Sequence, residues 1–332
     1  MAVAFLMVGV GIGYALEYFA VSSGPSGTTG TATSSQPTPP SQTATFTTTA
    51  AGQIKHVIVV VMENEEYQNV LGSADAPYEN ALASQYAVAG NYYAISHPSL
   101  PNYLALVAGA TFGTTTDCMP SACTLPFSTT TIANLLDARH LSWKGYAESM
   151  PVNCSQTTSK DDLYDPVHNP FVYFSRVTGN YGVGSTSAYC DSHVVPMDQF
   201  WTDSISGELP AFSLVTPNVC DDAHDCQLSA GDTWLSTYVP LMMNSPTFTS
   251  TALFLVYDEG SSAAGPGPGA GGHVVCLLVS PFAKPGYVSS REYSHYSLLA
   301  TVEAIFGLGN LGRNDATANV MTDLFSSGIP GA

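Results

Sequence analysis

The stretch "HVIVVVMEN" at residues 56–64 places an unbroken apolar run between a histidine and the pair Glu63–Asn64. A strand with one wet face alternates apolar and polar residues, whereas a continuous Val/Ile run is the pattern of a strand covered on both faces. Three further runs share this pattern and carry polar residues at an end. "AFSLVTPN" (211–218) leads to Asn218, "ALFLVYDEG" (252–260) leads to Asp258 and Glu259, and "HVVCLLVSP" (273–281) begins with His273. Helical patterns lie between them, as in "TIANLLDARH" (131–140) and "WLSTYVPLMMN" (234–244). The alternation predicts an α/β fold, a mainly parallel sheet sandwiched between helices, with ligands bound beyond the carboxyl ends of the strands.

Acidic pairs at two such ends, with Asn64 beside one of them, form an oxygen-rich set suited to a hard or borderline divalent metal. Carboxylates at strand ends also serve as caps for the helices that follow, and either pair alone fits that reading. Between the first two runs stands "SHPSLPNYLALVAG" (96–109), in which Pro98 and Pro101 bracket Ser99 ahead of a helix-like segment. A hydroxyl held at a helix start lies where N–H groups and the helix dipole favour an anion, which seats either a nucleophile or a simple N-cap.

Charge is the unusual feature of the composition. Only 10% of the 332 residues are Asp, Glu, Lys or Arg, with 26 acidic against 8 basic and a net charge of −18, where an average globular protein has roughly 25% charged residues. Such a surface repels phosphate backbones and excludes nucleic acid as a partner. Polarity carried by Ser, Thr, Tyr and Gly suits an acidic exterior, and equally an acidic secreted protein.

Residues 1–21 are apolar apart from Glu17 and read as a signal peptide or a membrane anchor, although no Lys or Arg occurs before Lys55. Residues 22–52 read as a Ser/Thr/Pro-rich linker, and residues 53–332 as the globular domain. Seven cysteines fit an oxidising compartment. Close pairings suggest disulfides Cys118–Cys123, Cys154–Cys190 and Cys220–Cys226, leaving Cys276 in a strand pattern as a small hydrophobe.

The segments "VMEN", "HPSLPNYLALVAG", "TPNVCDDAHDC", "YDEG" and "YSHYSLLATVEAIFGL" follow in this order over about residues 54–310. Together they resemble the phosphoesterase family of bacterial phospholipases C and acid phosphatases, within the alkaline phosphatase superfamily. The resemblance implies an alkaline-phosphatase-like fold and phosphoester hydrolysis through a metal-activated Ser or Thr. Position by position it implies Glu63, Asn64, Ser99, Asp258 and Glu259 as metal ligands, with Ser99 also the nucleophile and Ser96 its rival. It further implies that Asn102 contacts the phosphoryl oxygens. Identity and number of the divalent ions stay open.

Because all eight Lys and Arg residues lie outside these segments, neutralising a phosphate falls to metal, amide donors and histidine. His97 and His273 are candidate substrate-binding residues, and His224, flanked by Asp222 and Asp225, is a candidate catalytic one. His295 starts a helix and reads as support, while His56, His140, His168 and His193 have no motif context. "CMPSA" (118–122) has Ala122 where a sulfatase motif needs arginine and reads as a disulfide loop; "GSSAAGPGPGAGG" (260–272) lacks the Gly-Lys of a P-loop and reads as a loop at the rim. The expectation is an extracellular, secreted or surface-tethered, metal-dependent acid phosphatase acting on phosphate esters through a phosphoserine. A phospholipase C or other phosphodiesterase is the enzymatic alternative, and a non-catalytic cell-surface protein the alternative of another class. Contact with membrane is expected only through the N-terminal segment, and the oligomeric state is open.

Overall fold

A computed structural model describes residues 54–179, 186–261 and 270–329. The expected N-terminal segment, the linker and residues 262–269 of the glycine-rich loop lie outside the described residues. All four apolar runs are strands of one eight-stranded sheet: β1 (His56–Met62), β5 (Phe212–Thr216), β6 (Thr251–Tyr257) and β7 (Cys276–Val279). The others are β2 (Ala87–Tyr93), β3 (Trp143–Ala147), β4 (Val194–Pro196) and β8 (Val288–Ser294). The order is β4-β3-β5-β1-β6-β7-β2-β8.

Every neighbouring pair is parallel except those made by β7, which runs against both β6 and β2. The expected mainly parallel sheet is therefore present, with one reversed strand. Reversal explains why His273 stands before its strand while the other polar residues stand after theirs. The start of an antiparallel strand lies at the edge where its parallel neighbours end.

The side chains of β1 from Val57 to Met62 are buried, and those of β6 are buried throughout. Each fully buried Val or Leu contributes about 1.5–3 kcal/mol. Helices cover the sheet in two groups, Pro77–Gln85 against Leu228–Met243, and Ser99–Ala108 against His295–Phe306. Met62 and Tyr257 are partners at the ends of β1 and β6, and both turn toward the first group. Met62 abuts Gly231, where a Cβ would come within 2.9 Å of its terminal methyl, and the Tyr257 hydroxyl donates to Glu79 Oε2 at 3.1 Å. Because strand side chains alternate between faces, the next residues, Glu63 and Asp258, turn the other way, toward the helix Ser99–Ala108.

The three expected disulfides are formed and Cys276 is a buried free thiol. Among the described residues no helix is long and apolar enough to cross a membrane.

Two buried glutamates on the covering helices set a pH dependence. Burial, aided by Asp232, pushes Glu79 up to about 8, and burial, aided by Asp315, pushes Glu303 up to about 8. One oxygen of each, Glu79 Oε1 and Glu303 Oε1, is buried without a hydrogen-bond partner. Both values lie above the ordinary carboxyl value near 4.3, so the folded state binds these protons more tightly than the unfolded chain. Their contribution to stability is complete below about pH 4 and is lost as pH rises toward 8. The thermal midpoint measured by circular dichroism is expected to fall by several degrees between pH 5 and pH 8.5. Glu79→Gln and Glu303→Gln together are expected to flatten that slope; an unchanged slope refutes the assignment.

Candidate active site

Glu63 leaves β1 fully buried and accepts two hydroxyl hydrogen bonds, from Ser99 Oγ at 3.1 Å on Oε2 and from Tyr103 at 2.5 Å on Oε1. Ser99 and Tyr103 are four residues apart on the helix Ser99–Ala108 and so share one of its faces. Pro98 occupies the cap position of that helix and Ser99 makes no capping bond. The serine hydroxyl lies instead between two carboxylates, since Glu259 Oε1 is 3.3 Å from the same oxygen. Ser96 points elsewhere, its hydroxyl donating to the carbonyl of His97 at 3.0 Å.

Asp258 and Glu259 leave β6 beside Glu63. The Asp258 main chain is tied to the sheet and to the last long helix. Its N–H donates to the Met62 carbonyl at 2.9 Å, and its own carbonyl lies 2.5 Å from His295 Nε2, whose Nδ1 is 3.0 Å from the Tyr92 hydroxyl. His295 thus braces the ends of two strands. Asp258 Oδ1 accepts from the amides of Asn64 and Glu259, at 3.3 and 2.6 Å, while Oδ2 is buried without a partner. Asn64 has a left-handed backbone, φ 58°, and its side chain makes no hydrogen bond among the described residues.

Asn102 is fully buried and organises the loop before the serine. Its carbonyl accepts from the amides of Ile95 and Ser96, and its NH₂ donates to the Ser96 carbonyl at 2.8 Å and to Glu259 Oε2 at 3.2 Å. The expected partner of a phosphoryl oxygen is thus engaged with loop and carboxylate. His97 Nδ1 lies 3.0 Å from Glu259 Oε2.

His168 stands at the centre of the site, although nothing in its sequence context, "DPVHNP", pointed there. It ends a short 3-10 turn, Pro166–His168, capped by Asp165. Its ring stacks on Tyr103, with Nδ1 3.1 Å from Asp222 Oδ2 and Nε2 3.4 Å from Glu63 Oε1. Asp222 also accepts from the His224 amide at 2.8 Å, and the His224 ring is 2.7 Å from Asp225 Oδ1. The two expected orienting aspartates therefore divide the work, Asp225 on the ring of His224 and Asp222 on its backbone. Glu63, His168 and His224 each bring a ligand atom within 4.8 Å of the others. A second potential metal set thus overlaps the expected one at Glu63.

His273 is not brought into this cluster. Its Nε2 is 2.9 Å from the Gly90 carbonyl and its ring stacks on Tyr67 at 4.5 Å. The Asn218 side chain likewise does local work, accepting from the amides of Cys220 and Asp221.

Electrostatically the site is short of positive charge. Burial, with Asp258, Asp222 and Glu259 adding to it, raises Glu63 well above the usual carboxylate range. Burial, reinforced by Asp258 and Asp117, pushes Glu259 up to about 9, and burial pushes Asp258 up to about 6. Burial pulls His168 down, but its hydrogen bond to Asp222 and that carboxylate's charge outweigh it and leave the ring raised. Clustered carboxyls with an unpartnered buried oxygen either keep protons or exchange them for a cation, so the donor set fits a divalent metal ion.

A family model described as the phosphoesterase family matches residues 73–309. The chain is 31% identical over 272 residues to an acid phosphatase of Aspergillus fumigatus, covering 79% of this chain and 57% of that one. It is 33% identical over 248 residues to a phosphate-repressible acid phosphatase of Penicillium chrysogenum, covering 72% and 57%. It is 32% identical over 260 residues to a phosphatidylinositol-3-phosphatase of Mycobacterium tuberculosis, covering 77% and 78%. The chain thus spans a little over half the length of the two fungal relatives. In solved structures its fold is similar to a protein of the alkaline phosphatase superfamily from Vibrio parahaemolyticus, with a TM-score of 0.54 at 14% identity over 83% of this chain and 72% of that one.

Glu63 belongs to both potential metal sets. Titration calorimetry with Mn²⁺ and Zn²⁺ is expected to show that Glu63→Gln weakens binding of each ion at least tenfold, with Asp258→Asn and His168→Ala dividing the effect between the sets. Unaltered affinity in Glu63→Gln would falsify a metal centre built on this residue.

Proposed function

The chain belongs to the phosphoesterase family, and from that premise we propose that it is a metal-dependent acid phosphatase that hydrolyses phosphomonoesters through a phosphoserine. The observation that carries this reading is the Ser99 hydroxyl, buried between Glu63 and Glu259 at the start of a helix, beside an Asp258 oxygen that lacks a partner. The names of the fungal relatives support the same chemistry. Three disulfides support secretion into an oxidising compartment, with the N-terminal segment as leader or tether and residues 53–332 as the catalytic domain.

In this mechanism Glu63, Asn64, Asp258, Glu259 and Ser99 would hold the ion, which when bound would supply the positive charge that the site lacks and make the serine hydroxyl more acidic. Ser99 gives its proton to a facing carboxylate, and its Oγ bonds to phosphorus as the ester P–O bond breaks. The departing alkoxide takes a proton from a histidine, for which His224 is placed on the solvent side of the cluster, with its side chain 37% exposed. Water then attacks the phosphoserine, the Oγ–P bond breaks, and inorganic phosphate leaves with the hydroxyl restored. Asp222 and Tyr103 hold His168 and Glu63 in place from behind.

Ser99→Ala is expected to lower turnover of 4-nitrophenyl phosphate by at least a thousandfold. Acid-quenched wild type is expected to carry one phosphoryl group on the peptide containing Ser99, seen by mass spectrometry. Loss of less than tenfold in the variant would move the nucleophile elsewhere.

An acid pH optimum follows from charge. Near pH 6 a phosphomonoester gains a proton and loses half its charge, which matters in a site with buried carboxylates and no Lys or Arg. The Asp222 carboxylate raises His168, which favours its protonated form on the acid side. With Mn²⁺ in excess, the rate on 4-nitrophenyl phosphate is expected to peak below pH 6.5, and a peak above pH 8 contradicts this account of charge balance.

A further inference from the structure

Beyond the ends of β2 and β8 lies a cleft of about 340 Å³, within the size range of small-molecule sites, that shares none of the carboxylates at Ser99. Tyr93, Ala94 and Ile95 line it and run directly into the serine segment. Glu292, Tyr296, Asn314, Thr317 and Asn319 add to the lining.

The lining decides the class of occupant. It contains no Lys or Arg, so an anionic group finds no counter-charge there. Ile95 is its one branched aliphatic side chain, too little for an acyl tail. What it offers is tyrosine rings among amide, hydroxyl and carboxylate groups. A sugar or polyol needs that pair of features, a flat ring for its C–H face and a dense mixture of donors and acceptors for its hydroxyls.

The groups are also held in place before any ligand arrives. The Tyr93 ring packs on His273 with centroids 5.1 Å apart. The amide of Asn314 donates to the Gly109 carbonyl, and that of Asn319 to the Glu292 carbonyl at 3.2 Å, which leaves each side-chain oxygen to accept. Among the described residues the hydroxyls of Tyr93 and Thr317 have no protein partner. The amides of Ile95 and Ser96 donate to Asn102, which in turn donates to Glu259, so one buried side chain joins the cleft wall to the cluster at Ser99.

We propose that this cleft binds a neutral polyhydroxylated group, the sugar or polyol part of a phosphate ester. Its role in turnover rests on the phosphatase reading; its binding does not.

Two measurements on the full chain test it. Saturation-transfer NMR with glucose is expected to give a signal in the wild type that is lost in Thr317→Trp, which fills the cleft, and weakened in Asn319→Ala. In steady-state kinetics the ratio of kcat/KM for glucose 6-phosphate to that for 4-nitrophenyl phosphate is expected to fall at least fivefold in both variants, through KM. Glucose transfer that disappears in the variants of a protein that turns over neither ester supports the cleft and defeats the phosphatase reading. No glucose transfer in wild type, transfer from choline in its place, or an equal loss on both esters in folded variants overturns the proposal.

Discussion

Buried negative charge without a basic partner is the constraint around which the rest of this molecule is arranged. Glu63, Asp222, Asp258 and Glu259 are all nearly inaccessible to water, and among the described residues none of them pairs with Lys or Arg. Isolated ionised carboxylates do not survive such burial. The fold tolerates them because each is fixed by donors: the helix Ser99–Ala108 supplies a hydroxyl to Glu63 and an asparagine to Glu259, strand-end amides hold Asp258, and a histidine holds Asp222. Rigidity of the cluster and its fitness as a donor set for a cation have the same origin here.

Among the described residues, the excursion that delivers His168 is built of two short 3-10 turns and brief helices. Cys154–Cys190 closes it into a loop, with a sequence separation of 36. In the chain-entropy model such a closure is worth about 3–4 kcal/mol. Cys220–Cys226 does the same on a smaller scale for the turn bearing Asp222 and His224. These two disulfides therefore serve the site where helices and strands do not reach it.

Glu63, Asp258 and Glu259 were legible in the sequence because they end apolar runs, and a strand end is a place that periodicity locates. Ser99 was legible because prolines fix its surroundings. Tyr103 and His168 were not: a tyrosine inside "YLALVAG" looks like core, and a histidine between two prolines has no period to read. Their roles arise from meeting across long sequence separations, which no local pattern encodes. His273 misled for the complementary reason. The reversal of β7 carries it to the correct edge of the sheet, yet its ring is held by Tyr67 and Gly90, outside the cluster.

The same reversal has a further consequence. The connection from β6 to β7 begins at the carboxylate pair and returns with Gly260 N–H donating to the Gly271 carbonyl at 2.8 Å. Gly271 lies so close to Ala94 and Ser96 that a Cβ would come within 2.5 Å of the Ser96 carbonyl. Gly260 is crowded in the same way, since a Cβ there would come within 2.9 Å of the Glu66 carboxylate. Glycine at both ends of the connection is thus a steric requirement, because a side chain at either position would push the chain off the ladder that aims Asp258 and Glu259 toward Ser99.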